Sequence, residues 1–110
     1  MSKRFCFTIN NPTGLLDLSD LPDCVTYVIY QEEVGLSGTH HLQGYIETSK
    51  PLRYTTLVKL LDWDPGHWSV AKGSATENQA YCSKEDSRVG GPYTVGEPAP
   101  DNKQGARNDL

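Results

Sequence analysis

Two strand-like runs lie too close together along this chain for any pairing but an antiparallel one. Residues 25–33, Val-Thr-Tyr-Val-Ile-Tyr-Gln-Glu-Glu, are rich in β-branched and aromatic side chains, the types that fit a pleated surface. Residues 40–47, His-His-Leu-Gln-Gly-Tyr-Ile-Glu, read as a further strand. The link between them, Val34 to Thr39, is short and holds two glycines, whereas a parallel pair needs a long crossover. Strand phase then sorts the side chains. Tyr27, Ile29, Gln31 and Glu33 share one face, with Val28, Tyr30 and Glu32 on the other. In the next run His41, Gln43, Tyr45 and Glu47 share one face. Leu42 and Ile46 share the other, with Gly44 between them.

The remaining elements follow from the same reading. In residues 4–9, Phe5, Phe7 and Ile9 alternate with Cys6, Thr8 and Asn10, a strand ended by the turn-rich Asn10-Asn11-Pro12-Thr13-Gly14. Leu15, Leu16, Leu18 and Leu21 have helix-like spacing before Pro22, which predicts a short helix or an ordered loop. Ser49-Lys50-Pro51 is expected to begin a helix, since proline is tolerated in the first turn. Tyr54, Leu57, Val58 and Leu61 would form its apolar stripe. Asp64-Pro65-Gly66 is a turn, and His67-Trp68-Ser69-Val70 a short fourth strand. Ser74, with Glu77 three residues on, is a capping box that opens a second helix. Gly90-Gly91-Pro92 breaks the chain before a fifth strand at Tyr93-Thr94-Val95. The expected domain spans 1–97, and residues 98–110 read as a linker. This order gives an α+β domain with a mostly antiparallel sheet covered by helices.

Bulk properties narrow the function. At 110 residues and 36% hydrophobic content the chain fits one domain with a modest core. It has no apolar run of membrane-spanning length and no signal-peptide pattern at its start. Three cysteines without a CxxC argue for a reducing compartment and against a disulfide framework or a cysteine zinc site. A net charge of −4 argues against binding nucleic acid through bulk charge. It leaves room for a local basic site or for a metal that neutralises phosphate.

Two constellations can carry chemistry. Helix phase puts Glu77, Tyr81 and Lys84 on one face, with Asn78 three residues before Tyr81. A tyrosine with a cation one turn beyond it is a nucleophile with a charge-compensating partner, or a packing residue near a helix end. His41 and Gln43, two apart on a strand, point the same way, and Glu33 on the neighbouring strand has the phase to join them. Imidazole nitrogen, amide oxygen and carboxylate oxygen suit Mg²⁺ or Mn²⁺ better than zinc. The alternative is ordinary strand surface, and Glu32 competes with Glu33 for the third position. His40 points away from His41, and His67 is taken as structural. Asn10 and Asn11 can bond base edges or simply form the turn. Lys72 precedes the second helix, whose N-terminus can hold a phosphate. No Walker loop, GxGxxG, GxSxG or zinc-finger spacing is present.

Taken in order, Phe7-Thr8-Ile9-Asn10-Asn11-Pro12, Glu33, His41-Leu42-Gln43-Gly44 and Tyr81-Cys82-Ser83-Lys84 resemble the three endonuclease motifs of replication-initiator (Rep) proteins of circular single-stranded DNA viruses. The likeness covers about residues 4 to 96. It is nearest to circoviruses and nanoviruses, whose second motif is His-hydrophobic-Gln. His40 departs from the proline common in circoviruses. The tail Gly105-Ala106-Arg107-Asn108-Asp109-Leu110 resembles the start of the linker toward a helicase domain that this chain does not carry.

The resemblance implies an HUH endonuclease fold, with a central five-stranded antiparallel sheet flanked by helices and related to the RNA-recognition fold. It implies Mn²⁺ or Mg²⁺ held by Glu33, His41 and Gln43, Tyr81 as nucleophile and Lys84 as its catalytic companion. Asn10, Asn11, Lys72 and Asn78 become candidate DNA contacts. The implied reaction is nicking and joining of single-stranded DNA at a viral origin through a 5′-phosphotyrosine link, in the host nucleus. This chain would be a monomer and the full-length protein an oligomer. Two other classes compete: a non-catalytic single-strand-binding module, which would survive loss of Tyr81, and a protein-interaction domain, which would bind neither metal nor DNA.

Overall fold

A computed structural model of the chain describes residues 1–100. Its elements are β1 (Ser2–Asn10), β2 (Val25–Val34), β3 (His40–Leu52), α1 (Tyr54–Leu61), β4 (His67–Val70), α2 (Ala75–Tyr81) and β5 (Arg88–Gly96). The strands form one sheet in the order β4-β1-β3-β2-β5, every neighbouring pair antiparallel. This is the expected α+β architecture of five antiparallel strands and two helices. No helix among the described residues is long and apolar enough to cross a membrane.

Strand alternation gives the sheet two different faces. On one, Phe5, Phe7 and Ile9 of β1, Val28 and Tyr30 of β2, and Leu42 and Ile46 of β3 close over Leu57 and Leu61 of α1. Phe7 stacks on Trp68 at 4.8 Å between ring centroids and tilts against Trp63 at 5.4 Å. Gly44, paired with Phe7, leaves the room that the Phe7 ring occupies. Tyr27, Ile29, Tyr45 and Cys6 lie on the other face, where Ala71, Ala75 and Cys82 cover them. The second cluster covers only part of its face, and the uncovered remainder is polar.

Of its two expected forms, short helix or ordered loop, the Leu15–Pro22 stretch takes the loop, from which Leu16, Leu18 and Leu21 pack on the α1 cluster. Three local expectations need correction. Helix α1 starts at Tyr54 and not near Pro51, because β3 runs on to Leu52. Ser49 donates its N–H to the Cys24 carbonyl and Leu52 pairs with Ser2, so this segment is committed to the sheet. Lys50 also precedes a proline, which disfavours helical backbone. In α1 itself Leu57 and Leu61 are buried while Tyr54 is exposed. Finally, Gly90-Gly91-Pro92 does not break the chain: it lies within β5, whose pairing with β2 shifts register around Glu32. The linker predicted from residue 98 lies outside the described residues from 101 onward. Before that point, Ala99 donates its N–H to Glu47 Oε1 at 2.9 Å.

Candidate active site

Register turns the polar face into two rows that cross the sheet. Asn10 pairs with His41 and His41 with Glu33, which in turn pairs with Arg88 of β5. The neighbouring row is His67, Thr8, Gln43 and Gln31, one residue from each of β4, β1, β3 and β2. Directly opposed residues in an antiparallel sheet project to the same side. Glu33, His41 and Gln43 are therefore gathered by backbone pairing before any side-chain contact forms.

Of the three, His41 and Glu33 meet directly, whereas Gln43 bonds to Thr8 and Phe7 of β1. His41 Nε2 and Glu33 Oε1 stand 2.8 Å apart, with the carboxylate 2% exposed and the imidazole 20% exposed. Gln31 Nε2 donates to Glu33 Oε2 at 2.6 Å. Gln43 Oε1 accepts from the Thr8 hydroxyl at 3.0 Å and keeps a second lone pair. Among the described residues no three His, Cys, Asp or Glu side chains gather, so any metal here would need the Gln43 amide. One nitrogen, one carboxylate oxygen and one amide oxygen fit a hard divalent ion that retains water on its open positions. Glu32 lies on the opposite face, where its Oε2 accepts from the Tyr93 hydroxyl at 2.8 Å. That bond, chiefly, holds the Tyr93 phenol above its ordinary pKa.

Tyr81 is the last residue of α2 and is half exposed. The capping box expected at the other end is present: Ser74 Oγ accepts from the Glu77 N–H at 3.1 Å and Glu77 Oε1 from the Ser74 N–H at 2.7 Å. Helix phase does not place Lys84, since α2 ends at Tyr81 with Cys82 as its cap. The loop does so instead, with Lys84 Nζ 5.0 Å from the centroid of the Tyr81 ring and 3.8 Å from Glu33 Oε1. Gln31 Nε2 holds the Lys84 carbonyl at 2.9 Å, and Arg88 Nη1 holds that of Ser83 at 3.1 Å. Cys82 is 1% exposed. Burial first, then nearby Cys6 and Glu33, pushes its thiol up to about 12.

The other predicted residues divide into three situations. Asn10 and Asn11 are exposed at the end of β1. Asn11 takes a left-handed backbone, φ 51°, and donates its N–H to His40. Lys72 is exposed beside α2. Asn78 is buried, with its amide nitrogen donating to the Lys72 and Ser74 carbonyls and its oxygen accepting from Cys6 Sγ. Its polar atoms fasten α2 to the sheet.

Two residues without an expected role, Thr8 and Gln31, and one expected to be structural, His67, lie at the candidate site. Thr8 and Gln31 contact the candidate ligands directly. Exposed His67 lines a recess of about 240 Å³ with Thr8, Gln43 and Tyr81. For Gln31 a signal was present: an amide in phase with Glu33 on an otherwise apolar strand face. For His67 the signal lies in the β4–β1 pairing, which local sequence does not reveal.

A polar sheet face carrying a carboxylate, an imidazole and an amide, with an accessible tyrosine at a helix end beside it, is the candidate site. The family model Viral_Rep, described as "Putative viral replication protein", matches residues 2–85. The chain is 45% identical over 94 residues to the master replication protein of Subterranean clover stunt virus (strain F), covering 84% of this chain and 31% of that protein. It is 40% identical over 112 residues to the replication-associated protein of Canary circovirus, covering 99% of this chain and 36% of that protein. With the replication-associated protein of Beak and feather disease virus it shares 45% identity over 86 residues, 76% of this chain and 29% of that protein. The chain belongs to the viral Rep family of circular single-stranded DNA viruses. It spans about a third of the length of these relatives.

Proposed function

We propose that this domain nicks and rejoins single-stranded DNA at a viral replication origin through a covalent tyrosine intermediate. The observation that carries the reading is Lys84, whose ammonium stands between the Tyr81 ring and the Glu33 carboxylate. It links a solvent-accessible nucleophile to a face with metal-ligand chemistry. Family membership supports a role in viral genome replication.

Glu33, His41 and Gln43 would hold Mn²⁺ or Mg²⁺. Such an ion supplies Lewis-acid polarisation of a non-bridging phosphate oxygen. The Tyr81 oxygen attacks the scissile phosphorus, forming a Tyr–O–P bond as the P–O3′ bond breaks. The phenol proton ends on the released 3′-oxygen, so the step consumes no net acid or base. A 3′-hydroxyl attacking the phosphotyrosine reverses it, which rejoins DNA without ATP because the link keeps the phosphodiester's energy. Lys84 offsets the negative charge that builds up between phenolate and phosphate. Asn10 and Asn11 at the rim of the His41 row, with Lys72 beside α2, are the proposed DNA contacts. Local cations let a chain of net charge −4 take a polyanion. The expected setting is the host nucleus, with this chain a monomer and the full-length protein an oligomer.

The test is a denaturing protein gel after mixing the chain with a single-stranded oligonucleotide bearing a viral origin loop and Mn²⁺. A species heavier by the DNA is expected, and it must vanish in Tyr81→Phe and with a chelator. DNA binding with no adduct across several origin loops would replace this reading with a non-catalytic binding module.

A further inference from the structure

Gln31 is fully buried in the sheet beneath the site, and its side chain is used on one end only. Its Nε2 donates to Glu33 Oε2 at 2.6 Å and to the Lys84 carbonyl at 2.9 Å. Its Oε1 is buried with no hydrogen-bond partner among the described residues. Two acceptors face the nitrogen, so rotating the amide would set oxygen against oxygen, and the orientation is fixed by the network. An unmatched buried acceptor is unfavourable. What the amide gives in return is its grip on one particular carboxylate oxygen.

The two oxygens of Glu33 are therefore not equivalent. Oε2 is engaged by Gln31, while Oε1 faces His41 Nε2 at 2.8 Å and Lys84 Nζ at 3.8 Å. We infer that Gln31 is a positioning residue that sets the site's metal preference by keeping Glu33 a one-oxygen ligand. This rests on the proposed metal role of Glu33, His41 and Gln43. Magnesium and manganese accept such a ligand in compact octahedral sites, whereas calcium takes six to eight oxygens, often with both oxygens of a carboxylate. Releasing Oε2 opens the two-oxygen mode that calcium favours. The same amide holds the carbonyl of Lys84, so the carboxylate and the loop that follows Tyr81 share one anchor.

The experiment is isothermal titration of the 110-residue chain and of Gln31→Met, which has similar length and no donor, with MnCl₂ and separately with CaCl₂. In Gln31→Met, manganese affinity should fall by roughly tenfold, as for other outer-shell partners of metal ligands. Calcium affinity should hold or rise, so that the ratio of the two moves toward calcium. A ratio that is unchanged, or that moves toward manganese, overturns the inference and leaves Gln31 a packing residue. If the wild-type chain binds neither ion, the metal reading itself fails and the inference with it. Should the variant not fold, the wild-type chain still decides. Manganese-induced infrared difference spectra, with Glu33→Gln identifying the band, should show the wide carboxylate splitting of one-oxygen coordination. The narrow splitting of two-oxygen coordination would overturn the inference.

Discussion

Lys84 and Tyr81 meet although no helix joins them: the ammonium stands 5.0 Å from the ring centroid, carried there by the loop beyond the helix. The same ammonium is 3.8 Å from Glu33, a loose contact at the margin of solvent. A pair of this kind contributes about 0–1 kcal/mol to folding, so under the proposed function the value of Lys84 would lie in its charge beside the proposed nucleophile, Tyr81. Lys84→Met should slow single-turnover adduct formation by roughly a hundredfold, the scale of losing one stabiliser of developing charge. Lys84→Arg should keep most of the rate. Thermal stability and manganese affinity should change little in either, so a parallel loss of metal binding would assign Lys84 to the metal site instead.

Adjacent carboxylates should behave in opposite ways because the strand sends them to opposite faces. Glu32→Gln weakens one hydrogen bond to Tyr93, a cost of about 1 kcal/mol, and should leave manganese binding intact. Glu33→Gln removes the charge that faces His41 and Lys84. It should abolish the rise in melting temperature on adding Mn²⁺. Thermal scans of both variants with and without the ion check this, and a retained manganese shift in Glu33→Gln would remove Glu33 from the ligand set.

Gly44 is the packing counterpart of the site. It lies between Leu42 and Ile46 on the apolar face, and a methyl there would enter the Phe7 ring. The ring cannot yield freely, since it is stacked on Trp68 and tilted against Trp63. Gly44→Ala should therefore destabilise the domain by about 1–3 kcal/mol, the usual cost of overpacking. Urea unfolding measures it. Gln43 next door projects to the other face, so manganese affinity in the folded variant should be near that of wild type.

How much of this was legible in the sequence depends on how local the cause is. The β2–β3 pair follows from a link too short for a crossover, and phase favours Glu33 over Glu32 only modestly, a choice that the pairing of Glu33 with His41 and the Tyr93 bond to Glu32 then make. The capping box at Ser74 and Glu77 is a four-residue pattern and forms as read. The start of α1 was misread because Ser49 and Leu52 are held extended by Cys24 and Ser2, partners far off in sequence. The insertion of β1 between β3 and β4 is equally non-local, which is why His67 could not be placed beside Thr8. Lys84 lies near Tyr81 as helical phase predicts, but the cause is different: α2 ends at Tyr81, and hydrogen bonds from Gln31 and Arg88 fix the loop that follows.

Thiol chemistry should follow burial along the chain. Cys24 is partly exposed, whereas Cys82 lies buried directly after Tyr81 with its thiol pushed up to about 12 from an ordinary 9.0. Burial also raises the Tyr45 phenol, which donates to Glu47 Oε2 at 2.5 Å, well above its ordinary value of 10.0. Both groups bind their protons more tightly folded than unfolded. The sign follows from linkage: stability from the Cys82 thiol is whole below pH 9.0 and falls as pH rises from there toward about 12, and Tyr45 adds to the fall above 10.0. Unfolding free energy from urea titrations should accordingly be lower at pH 10.5 than at pH 8, with Cys82→Ala losing less of its own stability over that interval. At pH 8 iodoacetamide should label Cys24 in the native chain and reach Cys82 only after urea is added. Rapid native labelling of Cys82 would mean that the end of α2 opens readily, and with it the seat of Tyr81.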